Sequence, residues 1–455
     1  MTKPEVRDGT RRIGRGGIPV SARVPTSERT SQRLRELLDG LGDEEVGSQV
    51  IRLGIRKIVE EALEAELRDA LGRDYYEHGA QPGRGYRNGT RTGRLKTAEG
   101  LVEFGVPQVA DREEPFHSKV REQLSGRTEE LERLVVEMYA RGLSTRDIED
   151  ALRDPGSGKL LVSRTAVSEI TERLWAEYEA FATRDLAEFA LAYLFVDGIA
   201  ERLRSGQPRE AVLCAWAICR DGRKVLLHLA PGTKEDTESC KAFFQDLKRR
   251  GLCDPLLVVT DGAPGLIRAV EECFPRGVRG RCLAHRMRNL QSKVSEADWP
   301  ELRIHVRACY EAPSLEMARA LRQDVVKRFR DRFPAAMACF EDDFEACIAH
   351  LRFPIAHRKF IRTTNLLERL FVEERRRAKI IPNFFHGERP VLKLMYAALI
   401  RASERWRGVR FTPFECRQLE AIRNELDQEH AKRTAPVARS SEAKSPSSIS
   451  SKVRT

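Results

Sequence analysis

The sequence predicts a mixed α/β protein: basic, helical N-terminal segments, then a β-β-β-α-β-α core, with an all-helical block set into that core before it resumes. Three observations carry this. Two apolar runs, Ala192-Tyr-Leu-Phe-Val196 and Leu256-Leu-Val-Val-Thr260, each end in an aspartate, Asp197 and Asp261. Two more β-rich runs, 210–219 and 223–230, flank Asp221-Gly222, a hairpin turn signal. From residue 284 to 355 the spacing turns helical and charged, before apolar and basic stretches return over 358–425.

Composition bounds the partners. The chain has 455 residues, enough for several domains. Its net charge of +11 suits a polyanion. A third of the residues are charged, and mixing of both signs along helices accounts for most of them as solvated faces. No stretch approaches the roughly 20 apolar residues that span a bilayer, and Met1-Thr-Lys-Pro-Glu-Val-Arg7 has no apolar signal region. Ten cysteines are scattered without a paired framework. Reduced thiols and a cytoplasmic location are expected, with no membrane partner.

In chain order, 1–40 is a disordered basic arm. Residues 41–120 form a helical and Arg-rich DNA-binding region. Val50, Leu53, Ile58, Leu63 and Leu67 give it helical spacing. Gly79 to Arg94, rich in turn residues and arginine, is expected as a loop or extended arm, with Arg87 and Asn88 on phosphate. Leu101–Pro107 alternates like a short strand. Residues 121–185 form a helix-turn-helix domain. Ser144-Thr-Arg-Asp147 starts one helix as a capping box, Pro155-Gly-Ser-Gly158 breaks it, and Ser163 caps the next. Val167, Ile170 and Leu174 form that helix's apolar stripe, leaving Arg164, Thr165, Ser168 and Thr171 to solvent, where they can reach a major groove.

Residues 186–283 hold the first part of a catalytic domain. Val212–Ile218 is apolar on both faces, as in a central strand. Cys240, Phe243, Phe244 and Leu247 mark an amphipathic helix that Gly251 ends. The strand order is that of a ribonuclease-H-like fold. Such a fold needs far fewer residues than separate Asp261 from Glu368, so 284–355 reads as a helical insertion, 356–428 as the second catalytic part and 429–455 as a disordered tail.

A carboxylate at the tip of a buried strand is costly unless a cation compensates it. Asp197, Asp261 and the helical Glu368 together make an oxygen cage for Mg2+ or Mn2+, and two ions about 4 Å apart can activate a water or 3′-hydroxyl and stabilise the leaving oxygen. On a helical wheel Leu366, Leu367, Leu370 and Phe371 define an apolar arc with Glu368 at its border; Glu374 falls in its middle, as a competitor or the sign of a bend. Cys282-Leu-Ala-His285 is half a zinc site with no second pair nearby, so Cys282 and His285 are expected to support the site by packing or orientation. Arg281, Arg286 and Arg288, and on the other side Arg375, Arg376 and Arg377, bracket the acids as DNA-backbone contacts.

These residues resemble Mutator-type transposases of bacterial insertion sequences, a DDE family, over most of 45–425. The most specific stretches are Asp261–Pro275 running on to Arg281–Asn289, and Thr363-Thr-Asn-Leu-Leu-Glu368 with Arg375–Arg377. Asp197 with Arg202 and Arg204, and Tyr86-Arg-Asn-Gly89, are looser matches. The resemblance implies that Asp197, Asp261 and Glu368 are the catalytic triad, that Cys282 and His285 are the family's C-x-x-H element, and that the enzyme acts as a dimer or higher oligomer on terminal inverted repeats and target DNA. Glu374 and Arg202 depart from the family's usual apolar residue and lysine. The expected function is metal-dependent strand cleavage and transfer. A non-catalytic DNA-binding regulator, or a nuclease of the same fold that joins nothing, are the alternatives.

Overall fold

The computed structural model describes residues 24–40, 46–77, 84–124, 126–154, 156–201, 209–232, 237–366, 368, 371–372 and 387–435. The N-terminal arm before Val24, the tail beyond Ala435, Arg202, Arg204, Glu374 and Arg375 to Arg377 lie outside them. Two compact units divide at Arg173 and Leu174.

In the first unit, α1 (Thr26–Asp39) and α2 (Val46–Leu71) precede a long hairpin of β1 (Arg84–Thr97) and β2 (Gly100–Arg112). Of the two forms expected for the Arg-rich segment, loop or extended arm, the described residues from Arg84 take the extended one, as a strand paired antiparallel from Arg84↔Arg112 to Thr97↔Gly100. Arg84, Arg91 and Arg94 sit on exposed strand positions and Arg87 is half-buried, so no apolar alternation marks the strand. The apolar face of α2 differs from expectation. Val59 and Leu63 pack with Leu95, Phe104 and Val106, and Leu67 is buried, while Ile58 is exposed. After α3 (Lys119–Gln123) and the short β3 (Gly126–Arg127) come α4 (Glu129–Ala140), α5 (Thr145–Ala151) and α6 (Arg164–Thr183), the last crossing the division between units. The capping box is present: Ser144 Oγ accepts from Asp147 N, and the Asp147 carboxylate accepts from Ser144 N. Ser163 Oγ accepts from Ala166 N at the start of α6. Val167, Ile170 and Leu174 are buried. Thr171, expected in solvent, is buried as well, its hydroxyl donating to Ser168 O.

The second unit centres on a five-stranded sheet in the order β6 (Lys224–Gly232), β5 (Glu210–Cys219), β4 (Leu191–Glu201), β7 (Leu257–Thr260), β8 (Val278–Arg281). β6, β5 and β4 pair antiparallel in turn; β7 runs parallel to β4, and β8 parallel to β7. The short basic β8 gives no alternation and was not foreseen. At the β5–β6 turn Gly222 has φ +84, and a Cβ there would meet Val409 O at 1.8 Å, so only glycine fits. On one sheet face, Leu194, Val196, Leu213 and Val258 pack under Phe244 and Leu247 of α7 (Thr237–Arg249) and Leu266 and Val270 of α8 (Pro264–Cys273). By strand alternation Asp197 lies on the other face with Tyr193 and Phe195. Phe195 stacks on Trp216, and the Tyr193 hydroxyl bonds His357 Nδ1 at 2.7 Å.

A helical block follows: α9 (Leu283–Gln291), α10 (Trp299–Tyr310), α11 (Leu315–Phe329), α12 (Pro334–Glu341) and α13 (Phe344–Ile348), with its own core of Leu302, Val306, Phe329, Phe340 and Ile348. Then α14 (Ile355–Ile361) returns the chain to the Asp197 face, and α15 (Glu388–Ser403) and α16 (Pro413–Thr434) complete the unit. No helix among the described residues is long and apolar enough to cross a membrane.

Candidate active site

Asp197 is fixed by β4, whose flanking residues are almost wholly buried. Phe195 pairs with Val259 of the parallel neighbour β7, so Asp197 and Asp261 each lie two residues beyond a register pair, at the same end of the sheet. Asp261 Oδ1 accepts from Ala263 N at 2.9 Å. Gly262, with φ +89, turns the chain toward α8. A Cβ there would meet the Arg281 guanidinium.

The third acid is delivered by a stitch centred on Cys282. Its N–H donates to Thr260 O at 2.7 Å, and the next N–H, of Leu283, donates to Arg362 O at 2.9 Å. The Cys282 sulfur accepts from Thr364 N at 3.3 Å. The buried Thr364 hydroxyl donates to Asp197 Oδ2 at 2.9 Å, across 167 residues of sequence. Helical residues follow, and Glu368 N donates to Thr364 O. Asp197, Glu368 and His285 thereby offer ligand atoms all within 4.8 Å of one another. Asp261 is not in that tight group; its charge acts on Asp197 from beside it.

The electrostatics follow from this packing. Burial pushes the Asp197 carboxyl up to about 6, with the opposing pull of His285 and the added push of Asp261. The neighbouring Cys282 sulfur is the main cause that raises His285 to about 9, against burial and with help from Asp197 and Glu368. Burial alone would raise the Cys282 thiol, but His285 and Thr364 outweigh it and hold it below its ordinary value. His285 Nε2 lies 3.4 Å from Glu368 Oε1. Arg288, one turn along α9, sets Nη2 at 2.6 and 2.5 Å from the two Glu368 oxygens. The acids therefore meet two cationic side chains.

Other expected residues fall differently. Arg286 is 1% exposed and donates to Cys339 O and to Asp342 O and Oδ2, so it ties α9 to α12 and cannot reach DNA. Arg281 is nearly buried and pairs with Asp342 and Asp343, again inside the protein. Both sit in a run of basic residues that reads as surface in sequence. Arg87 donates to Asp74 O and Arg73 O beside Tyr75, while Asn88 is exposed. Thr165 and Ser168 are exposed; Arg164 is half-exposed and paired with Glu149. Thr364 was not singled out in sequence; its role depends on a partner 167 residues away.

The buried Asp197 and the half-buried Asp261 thus stand at one end of a mixed sheet, on neighbouring strands. The chain belongs to the Mutator family of transposases: the family described as "Transposase, Mutator family" matches residues 29–408. It is 32% identical to the transposase for insertion sequence element ISRM5 of Rhizobium meliloti (strain 1021), over 78% of this chain and 88% of that protein. It is also 32% identical to the transposase for IS6120 of Mycolicibacterium smegmatis (60% and 84%), and 27% identical to that for IS905 of Lactococcus lactis subsp. lactis (82% and 95%).

Proposed function

We propose that the protein is a DDE transposase that cuts DNA at the ends of a bacterial insertion sequence and joins the freed 3′ ends to target DNA. The observation that carries the reading is the meeting of Asp197 with Glu368 beside the end of β7, where Asp261 follows. The strand order, three antiparallel then two parallel, supports a ribonuclease-H-like catalytic domain interrupted by the helical block.

The donor set fits a hard divalent cation. Two carboxylates and an imidazole lie within 4.8 Å, and the burial that lifts Asp197 leaves a charge that a cation would relieve. Asp197, Asp261 and Glu368 would hold Mg2+ or Mn2+, as two ions, which supply an activated oxygen nucleophile and stabilise the leaving oxygen. Thr364 orients Asp197 by donating to Oδ2, and Oδ1 accepts from Gly198 N at 3.0 Å. Cys282 holds Thr364 in place, and His285 supports Glu368. The exposed face of α6 and the arginine-bearing hairpin β1–β2 are the DNA-binding elements, in a homodimer or higher oligomer on terminal inverted repeats.

The test is Asp197→Asn, assayed for nicking of element-end DNA and for binding of the same DNA. Cleavage should fall by a factor on the order of a hundred or more with binding retained. Full cleavage by the variant sinks the assignment. Binding without any metal-dependent nicking by the unaltered protein favours a regulator, and nicking without covalent linkage of labelled ends to target DNA favours a nuclease.

A further inference from the structure

Beside the carboxylates lies a recess of about 510 Å3 lined by Met287 and Arg288 of α9, Trp299, Arg303 and Arg307 of α10, and Arg362. Glu311 is the one acid among its described lining residues, and Arg307 and Arg362 share it at 3.0 Å each. Arginine forks suit phosphate oxygens, and an aromatic wall suits a sugar or base. Arg288 borders both the recess and the catalytic acids. One of its terminal nitrogens spans both Glu368 oxygens, while its side chain is 55% exposed and Glu368's only 23%.

A divalent ion ligated by those oxygens would stand about 4 Å from the guanidinium, where like charges repel strongly in a half-buried site. Arg288 and metal therefore compete for Glu368. An ion pair this exposed is weak enough to exchange, and Arg288 keeps further N–H donors that could serve a phosphate on the recess side.

We propose that the recess takes a sugar–phosphate segment of DNA and that its phosphate draws Arg288 off Glu368, so that Glu368 becomes a metal ligand only when DNA is in place. This rests on the metal-binding reading above. It makes loading of the site conditional on substrate, and gives Arg288 a positioning role distinct from simple backbone attraction.

The full-length protein is titrated with Mn2+, free ion being followed by electron paramagnetic resonance, with and without a short mixed-sequence duplex. The duplex should tighten Mn2+ binding by the unaltered protein about three- to fivefold, the upper part of the range one exposed ion pair spans. Arg288→Ala and Arg288→Gln, each checked for folding by circular dichroism, should bind Mn2+ that tightly without duplex and gain less than about twofold from it. Arg303→Ala should keep the DNA-free affinity and lose the tightening. If Glu368→Gln abolishes binding yet neither Arg288 variant strengthens it, the competition is wrong and the metal site stands. If Arg303→Ala retains full tightening, the recess is not where DNA acts. If Asp197→Asn and Glu368→Gln both leave Mn2+ binding unchanged, the metal-binding reading itself fails, and this proposal with it.

Discussion

Thr364 shows how one hydroxyl organises the acids. It donates to Asp197 and lies 3.4 Å from the Cys282 sulfur, which accepts from the Thr364 N–H. With Asp197 holding metal as proposed, a group that orients it in this way changes affinity or rate by roughly ten- to a hundredfold when removed. Thr364→Val, nearly isosteric, should lower strand cleavage about tenfold. Thr364→Ser, which keeps the donor, should restore most of it. A valine variant as active as the unaltered protein would show that Asp197 needs no such support. Nothing local marked this threonine, because its two neighbours in Thr363-Thr364-Asn365 are equally polar and its partners come from remote strands.

At the level of elements, the core strands were legible because they are apolar on both faces or bounded by Gly, and α7 because its apolar residues recur at helical spacing. Two kinds of element escaped. Strand β1 carries arginine, glycine and threonine in no period of two over most of its length, and β8 is four residues long. The basic run after β8 escaped in another way. Side chains of the same type divide there between inside and outside, Arg286 at 1% exposure and Arg288 half in solvent. Sequence periodicity separates them only if α9's register is known. The division has a measurable consequence. Arg286→Met leaves the Cys339 and Asp342 carbonyls unsatisfied and should cost about 3 kcal/mol in chemical denaturation. The salt slope of DNA binding should stay unchanged, whereas loss of a phosphate contact reduces it by about one. A flattened slope would return Arg286 to the DNA surface.

Across the whole molecule, carboxylates held below their ordinary range recur in both units. Asp147 is lowered by Ser144 and Glu149 by the Arg164 backbone N–H; Glu301 by Arg332, Glu345 by Arg319 and Glu415 by the Thr412 backbone N–H. A folded-state pKa below the unfolded one means the unfolded chain binds more protons in between. The stabilisation is therefore complete above the ordinary carboxylate range and drains away as pH falls through the lowered values. Between about pH 7 and about pH 5 other groups set the slope: Asp197, raised to about 6, adds stability as it protonates, while His228 and His350, which burial holds down to about 4, subtract it. Below about pH 4.5 the lowered carboxylates take over and denaturation midpoints should drop. A midpoint that instead rises there would mean these pairs do not hold in solution. The stitch at Cys282 also sets a schedule for synthesis. A ribosome finishes both aspartate strands, and then the entire helical block, before Thr364 and Glu368 emerge to close the site. A nascent chain still missing them could fold much of its sheet and its inserted block yet could not complete the acidic cluster.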